Sequence, residues 1–196
     1  FYMAMECAEG MTLEAELFHR GVIPWAEATE VMESLAWAVS ALHENGVIHR
    51  DLKPANVMVS VGKDGRLKTK LIDYGSIKGR DTWDRVDIGA GDLPVGTPMY
   101  MPPEQARGLG TTPQSDVYGL AAIYYELLSG KPVIALKQGS PERCLAYLRS
   151  EHPLPSIPLH HFAGVDAEVA AFVHRCLSRN AATRPEDAFA FGHELN

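Results

Sequence analysis

Within eight residues, His49-Arg50-Asp51-Leu52-Lys53-Pro54-Ala55-Asn56, the chain places a carboxylate, a cation and a side-chain amide oxygen. Phosphoryl transfer uses such a set. A carboxylate receives the proton of the attacking hydroxyl, a cation offsets charge on the transferring group, and an oxygen ligand holds a divalent metal. Asp51, Lys53 and Asn56 are the candidates for these tasks. A polar turn following the apolar pair Val47-Ile48 would account for the His-Arg-Asp tripeptide. It would not account for an Asn five residues after the Asp, followed at once by the strand-like Val57-Met58-Val59.

The spacing H-R-D-L-x-x-x-N resembles the catalytic loop of the eukaryotic-type (Hanks) serine/threonine protein kinases. Other segments carry the same resemblance. Val57–Ser60 and Leu67–Ile72 read as strands joined by the turn signal Gly62-Lys63-Asp64-Gly65, and they end in Asp73-Tyr74-Gly75, 22 residues after Asp51. This resembles the family's D-F-G with Tyr74 for Phe, and it implies that Asp73 joins Asn56 on Mg²⁺ or, in its place, Mn²⁺. Gly96-Thr97-Pro98-Met99-Tyr100-Met101-Pro102-Pro103-Glu104 resembles G-T-x-x-Y-M-x-P-E, with Pro102 where the family has Ala. The resemblance implies that Thr97 hydrogen-bonds Asp51 and Lys53, a combination typical of Ser/Thr rather than Tyr kinases. It also implies a buried ion pair between Glu104 and Arg184, and that Asp116 holds the catalytic loop's backbone from below. Glu104-Gln105-Ala106-Arg107-Gly108 and the Asp116-Val117-Tyr118 helix start are bacterial in style.

The elements that would position these residues are mostly helical. Trp25, Ala28, Val31, Met32, Leu35, Val39 and Leu42 recur at three- and four-residue steps, predicting a helix from about Pro24 to Asn45 that stops at Gly46. Ser115 is the expected N-cap of a nearly all-apolar, hence buried, helix through Leu128, stopped by Ser129-Gly130. Further helices are expected from Ser140-Pro141 to about Ser150, over Asp166–Leu177 and over Pro185–Leu195. The fold class is therefore α+β and predominantly helical. The resemblance makes it a protein-kinase-like C-terminal (large) lobe, with the hinge and last small-lobe strand at residues 1–12 and the large lobe at 13–196.

At that strand, Phe1 to Gly10, Met5 falls at the gatekeeper position. The Glu6 carbonyl and the Ala8 amide would face the adenine of ATP, with Met58 beneath the ring; a plain apolar edge strand is the alternative. The family's Gly-rich loop, strand lysine and helix glutamate have no counterpart in the 196 residues, so the small lobe is expected from upstream sequence or from another chain. Without it, phosphoryl transfer should be very slow. Three functions fit: transfer of the ATP γ-phosphoryl group to Ser/Thr hydroxyls of protein substrates, a pseudokinase or scaffold, and a truncated lobe that binds proteins.

Arg50, next to the base, would pair with a phosphate in the segment from Asp73 to Glu104. Thr82 is the preferred acceptor over Ser76, with Asp81, Asp84 and Asp87 as unmodified alternatives. Net charge is −7, and residues 1–45 carry all of it, with eight Glu against one Arg. No basic stripe invites nucleic acid, and no apolar run has the length of a membrane span. Cys7, Cys144 and Cys176 are few and far apart, which suggests a reducing compartment and a cytoplasmic lobe.

Overall fold

The fold is organised around α4 (Pro113–Ser129), whose residues from Ser115 to Ser129 are all buried apart from Glu126. A helix with no polar face must be surrounded, and α2 (Trp25–Glu44), α6 (Ala167–Cys176) and α7 (Ala188–Glu194) pack against it. The computed structural model describes residues 8–62, 67–73, 97–134, 140–152, 158–162 and 164–195. The chain is mostly helical, with α1 (Leu13–Arg20), α3 (Pro103–Ala106) and α5 (Pro141–Arg149) completing the set among the described residues.

Helix α4 starts at Pro113 rather than after Ser115. Thr112 is its N-cap, and the Ser115 hydroxyl, three residues on, accepts the Thr112 N–H at 3.2 Å. Pro113 explains the earlier start, because a proline loses nothing at the first helical position. At the other end Gly130 is left-handed, with φ 69°, and a Cβ there would come within 2.7 Å of the Gly21 carbonyl oxygen. Helix α7 begins three residues later than Pro185. Arg184 is extended ahead of the proline, and Asp187 caps the helix by accepting the Ala190 N–H at 2.8 Å. In α2 the buried stripe runs from Ala28 to His43, while Trp25, at the first helical position, is 46% exposed. Gly192 lets α7 cross close over Ala36 of α2.

The one sheet among the described residues is antiparallel, ordered β1 (Met11–Thr12), β2 (Val57–Val61) and β3 (Leu67–Leu71). Met11 faces Val59, and Val57 faces Leu71. Residues 1–7, expected to form a strand, lie outside the described residues, and the pairing with β2 falls at Met11–Thr12. Gly10, with φ 101°, brings the chain up to β2 where a Cβ would overlap the Val59 carbonyl. Thr12 then caps α1, its hydroxyl accepting the Ala15 N–H at 3.2 Å. Strand β3 packs on α2, and the 3₁₀ turn Pro54–Asn56 lies against α1 and β1, where sheet and helices meet.

Candidate active site

The loop from His49 to Asn56 rests on one buried carboxylate. Asp116, 2% exposed in the first turn of α4, accepts the His49 N–H at Oδ2 (2.8 Å) and the Arg50 N–H at Oδ1 (2.9 Å). The His43 ring of α2 lies 3.0 Å from Asp116 Oδ2. The Ala188 N–H donates to His43 Nδ1 at 3.2 Å, which leaves Nε2 as the nitrogen that carries a proton to Asp116. Asp116 thereby joins α2, α4, α7 and the loop. Charge-assisted bonds of this kind are about twice as strong as neutral ones.

Arg50 pays for that grip with backbone strain: its φ is 71°, a region that residues with a side chain rarely occupy. Both sides of the residue are pinned, the N–H by Asp116 and the carbonyl by Gln105 Nε2 at 3.0 Å. The guanidinium is buried, and burial pushes its pKa down, with Asp116 pulling the other way. Its Nε and Nη2 meet no hydrogen-bond partner among the described residues. His49, 1% exposed, has a pKa held below the usual histidine value by burial. Asp116, Asp51 and a hydrogen bond to the Asp73 backbone oppose that shift.

Asp51 sits at the open side of the loop, its side chain 13% exposed. Oδ2 accepts from Lys53 Nζ at 2.7 Å and Oδ1 from the Thr97 N–H at 2.9 Å. Lys53 Nζ also donates to Thr97 Oγ1 at 3.1 Å. Thr97 therefore meets Asp51 through its backbone and Lys53 through its hydroxyl. Asn56 is buried, and its Nδ2 donates to the Asp51 carbonyl at 2.9 Å. That bond sets the amide so that Oδ1 is the atom left for a metal. The Ile72 N–H donates to the Asn56 carbonyl at 2.8 Å, so the exposed Asp73, φ 63°, follows directly on a residue tied to Asn56. No group of three or more His, Cys, Asp or Glu suited to a metal occurs among the described residues. An Asn and an Asp are nonetheless a fitting donor set for Mg²⁺, which takes one or two protein oxygens and fills its shell with phosphate and water.

Glu104 and Arg184 form a two-pronged pair at 2.7 and 3.0 Å, with the Arg184 side chain fully buried. Arg184 also donates to the Ser178 and Gln114 carbonyls and lies 5.1 Å from the centre of the Tyr118 ring. The Ser115 hydroxyl donates to Glu104 at 2.9 Å. Ala8 and Met58 line one cavity of about 330 Å³ with Glu9, Ser60, Lys68 and Lys70. Met5, Glu6, Cys7, Tyr74, Ser76, Thr82, Asp81, Asp84 and Asp87 lie outside the described residues. Cys144 and Cys176 are buried free thiols, and burial raises the Cys176 pKa to about 12.

Sequence reasoning did not find His43, Gln105 or the Tyr100–Glu126 hydrogen bond (2.6 Å), nor did it find α1. Thr12 before Leu13 and Leu17 was a usable signal for α1. For the other three, partners far apart in the chain leave no local trace.

Residues 1–195 match the family described as "Protein kinase domain". The chain is 34% identical over 189 residues to the serine/threonine-protein kinase PknB of Mycobacterium tuberculosis, which covers 95% of this chain and 28% of that protein. It is 32% identical over 195 residues to the serine/threonine-protein kinase pkn3 of Myxococcus xanthus, covering 99% of this chain and 35% of the other. With PknL of M. tuberculosis the identity is 31% over 194 residues, covering 99% and 46%. The chain thus spans under half the length of these relatives. No helix among the described residues is long and apolar enough to cross a membrane.

Proposed function

The chain belongs to the protein kinase family, and on that premise we propose that it serves the transfer of the ATP γ-phosphoryl group to Ser or Thr hydroxyls of proteins. The observation that carries this reading is the triangle of Asp51, Lys53 and Thr97, with its three contacts of 2.7 to 3.1 Å. Asp51 Oδ2 accepts from Lys53 Nζ and, at 3.4 Å, from Asn56 Nδ2, while Oδ1 accepts the Thr97 N–H and keeps a second acceptor position for a substrate hydroxyl. Asp51 takes that hydroxyl's proton, the oxygen bonds to the phosphoryl group, and the electrons of the broken P–O bond leave with ADP. Lys53 offsets the negative charge at the transferring group and holds Asp51 in line. Asn56 and Asp73 would hold Mg²⁺, which when bound neutralises charge on the nucleotide phosphates. The Ala8 amide, with the Glu6 carbonyl, would meet adenine beside Met5 and above Met58.

Arg50 would receive a phosphate on Thr82, a charge-assisted contact that orders the segment before Thr97. Finding no phosphate at Thr82 in active protein, with full activity in Thr82→Ala, overturns that part. These 196 residues alone should turn over slowly, since the family's Gly-rich loop and strand lysine are not among them. The test is Mg²⁺-ATP turnover on Ser- and Thr-bearing protein, for this chain and for any longer form of it. Asp51→Asn should lower the rate about 10²-fold or more, the usual worth of a positioned base. Equal rates would refute the mechanism.

A further inference from the structure

We propose that Gln105 is a positioning residue for Asp51, transmitting the order of α3 to the catalytic loop through the Arg50 carbonyl. The proposal rests on the phosphotransfer reading above for its effect on rate, but not for its structural core.

The Arg50 carbonyl and the Asp51 N–H belong to a single peptide unit, which is planar and turns as one body. Gln105 Nε2 holds the carbonyl side at 3.0 Å, and His49 Nδ1 faces the N–H side at 3.4 Å. The rotation of that plane sets the direction in which the Asp51 side chain leaves the backbone. Arg50 also has a φ of 71°, which it would not keep without support on both sides. Asp116 supplies one support, at the Arg50 N–H, and Gln105 supplies the other. A carbonyl can only accept, so the amide of Gln105 must present its nitrogen to it.

Gln105 is itself well anchored. It is 4% exposed, and it follows Glu104, which Arg184 and Ser115 hold in place. Helix α3 comes six residues after Thr97, whose backbone N–H touches Asp51 from the other side. Asp51 is therefore held through its carboxylate by Thr97 and through its backbone by Gln105, both from the same stretch of chain.

The test compares Gln105→Leu and Gln105→Glu with the unchanged chain by amide hydrogen exchange and by steady-state kinetics. In Gln105→Leu, exchange at His49 to Asp51 should speed up about tenfold while the amides of α4 keep their protection. The kcat should fall about tenfold with little change in the KM for ATP. In Gln105→Glu, a protonated carboxyl can donate to the Arg50 carbonyl and an ionised one repels it. Relative to the unchanged chain at the same pH, loop protection and rate should therefore recover as pH is lowered, a relative dependence absent from Gln105→Leu. Unchanged exchange in the loop, or exchange that rises equally through α4, overturns the proposal. If Gln105→Leu does not fold, the pH dependence of loop exchange in Gln105→Glu decides the matter. A change in loop exchange in a chain whose longer forms never turn over ATP would overturn the phosphotransfer reading and leave the positioning role standing.

Discussion

Arg184 has no solvent-exposed side-chain surface, so its charge depends on Glu104 and on the two backbone carbonyls of Ser178 and Gln114. Removing one member of a buried pair leaves the other uncompensated, typically at about 3–5 kcal/mol, whereas replacing both by apolar residues of similar size is far milder. Glu104→Ala should lower unfolding stability by an amount of that order, and the double variant Glu104→Leu/Arg184→Met should recover most of it in urea titrations. Asp116→Ala strands the His49 and Arg50 amides, each a buried donor worth about 1–3 kcal/mol when unpaired. Asp116→Asn retains one acceptor oxygen and should cost about half as much, measured the same way. Asp51, Lys53 and Asn56 were legible from sequence because their spacing within one loop is what brings them together. Gln105 was not, because its partner lies 55 positions away and nothing in a Glu-Gln-Ala stretch announces it.

Helix ends separate two kinds of glycine. Gly21 ends α1 with φ 76° and open space where a Cβ would go, while Gly130 ends α4 with φ 69° and the Gly21 carbonyl in the way. Gly21 has ψ −53°, outside the left-handed helical well, so Gly21→Ala should cost roughly 1–3 kcal/mol from backbone strain with no clash. Gly130 is in the milder left-handed helical conformation, so Gly130→Ala should lose stability mainly by displacing the chain at Gly21, and thermal melts should show both variants unfolding at lower temperature. The helices α2, α4, α5 and α6 were readable within a few residues because periodicity and caps are local properties. The starts of α4 and α7 moved because proline acts differently on either side: it fits at the first position of α4, yet keeps Arg184 extended before α7. Helix α1 escaped notice because a two-turn helix with mixed polar composition has little periodicity to read.

At the scale of the whole molecule, burial shifts several titrating groups in opposite senses. His49 and His174 have pKa values below the ordinary histidine value, burial being the main cause for both and His160 adding to it for His174. The unfolded chain therefore binds more protons than the folded one below about pH 6.5, so stability is intact above that value and is lost as pH falls through the lowered folded values. Glu126 works against this. Burial raises its pKa despite the hydrogen bond from Tyr100, so its contribution is present at low pH and lost as pH rises. Urea midpoints should fall between pH 7.5 and 5.5. The fall should shrink in His174→Gln, whose amide oxygen can still accept the Leu159 N–H, and grow in Glu126→Gln. By itself the sequence determined the spacing of the loop residues, the family and most helices, since each depends on residues near one another along the chain. Tertiary structure alone decided the left-handed turn at Arg50, the joining of Asp116 to His43 and Ala188, and the grip of Gln105 on the loop. The reason is physical: buried donors and acceptors must find partners wherever the fold brings them, and the distance along the chain between such partners follows no pattern.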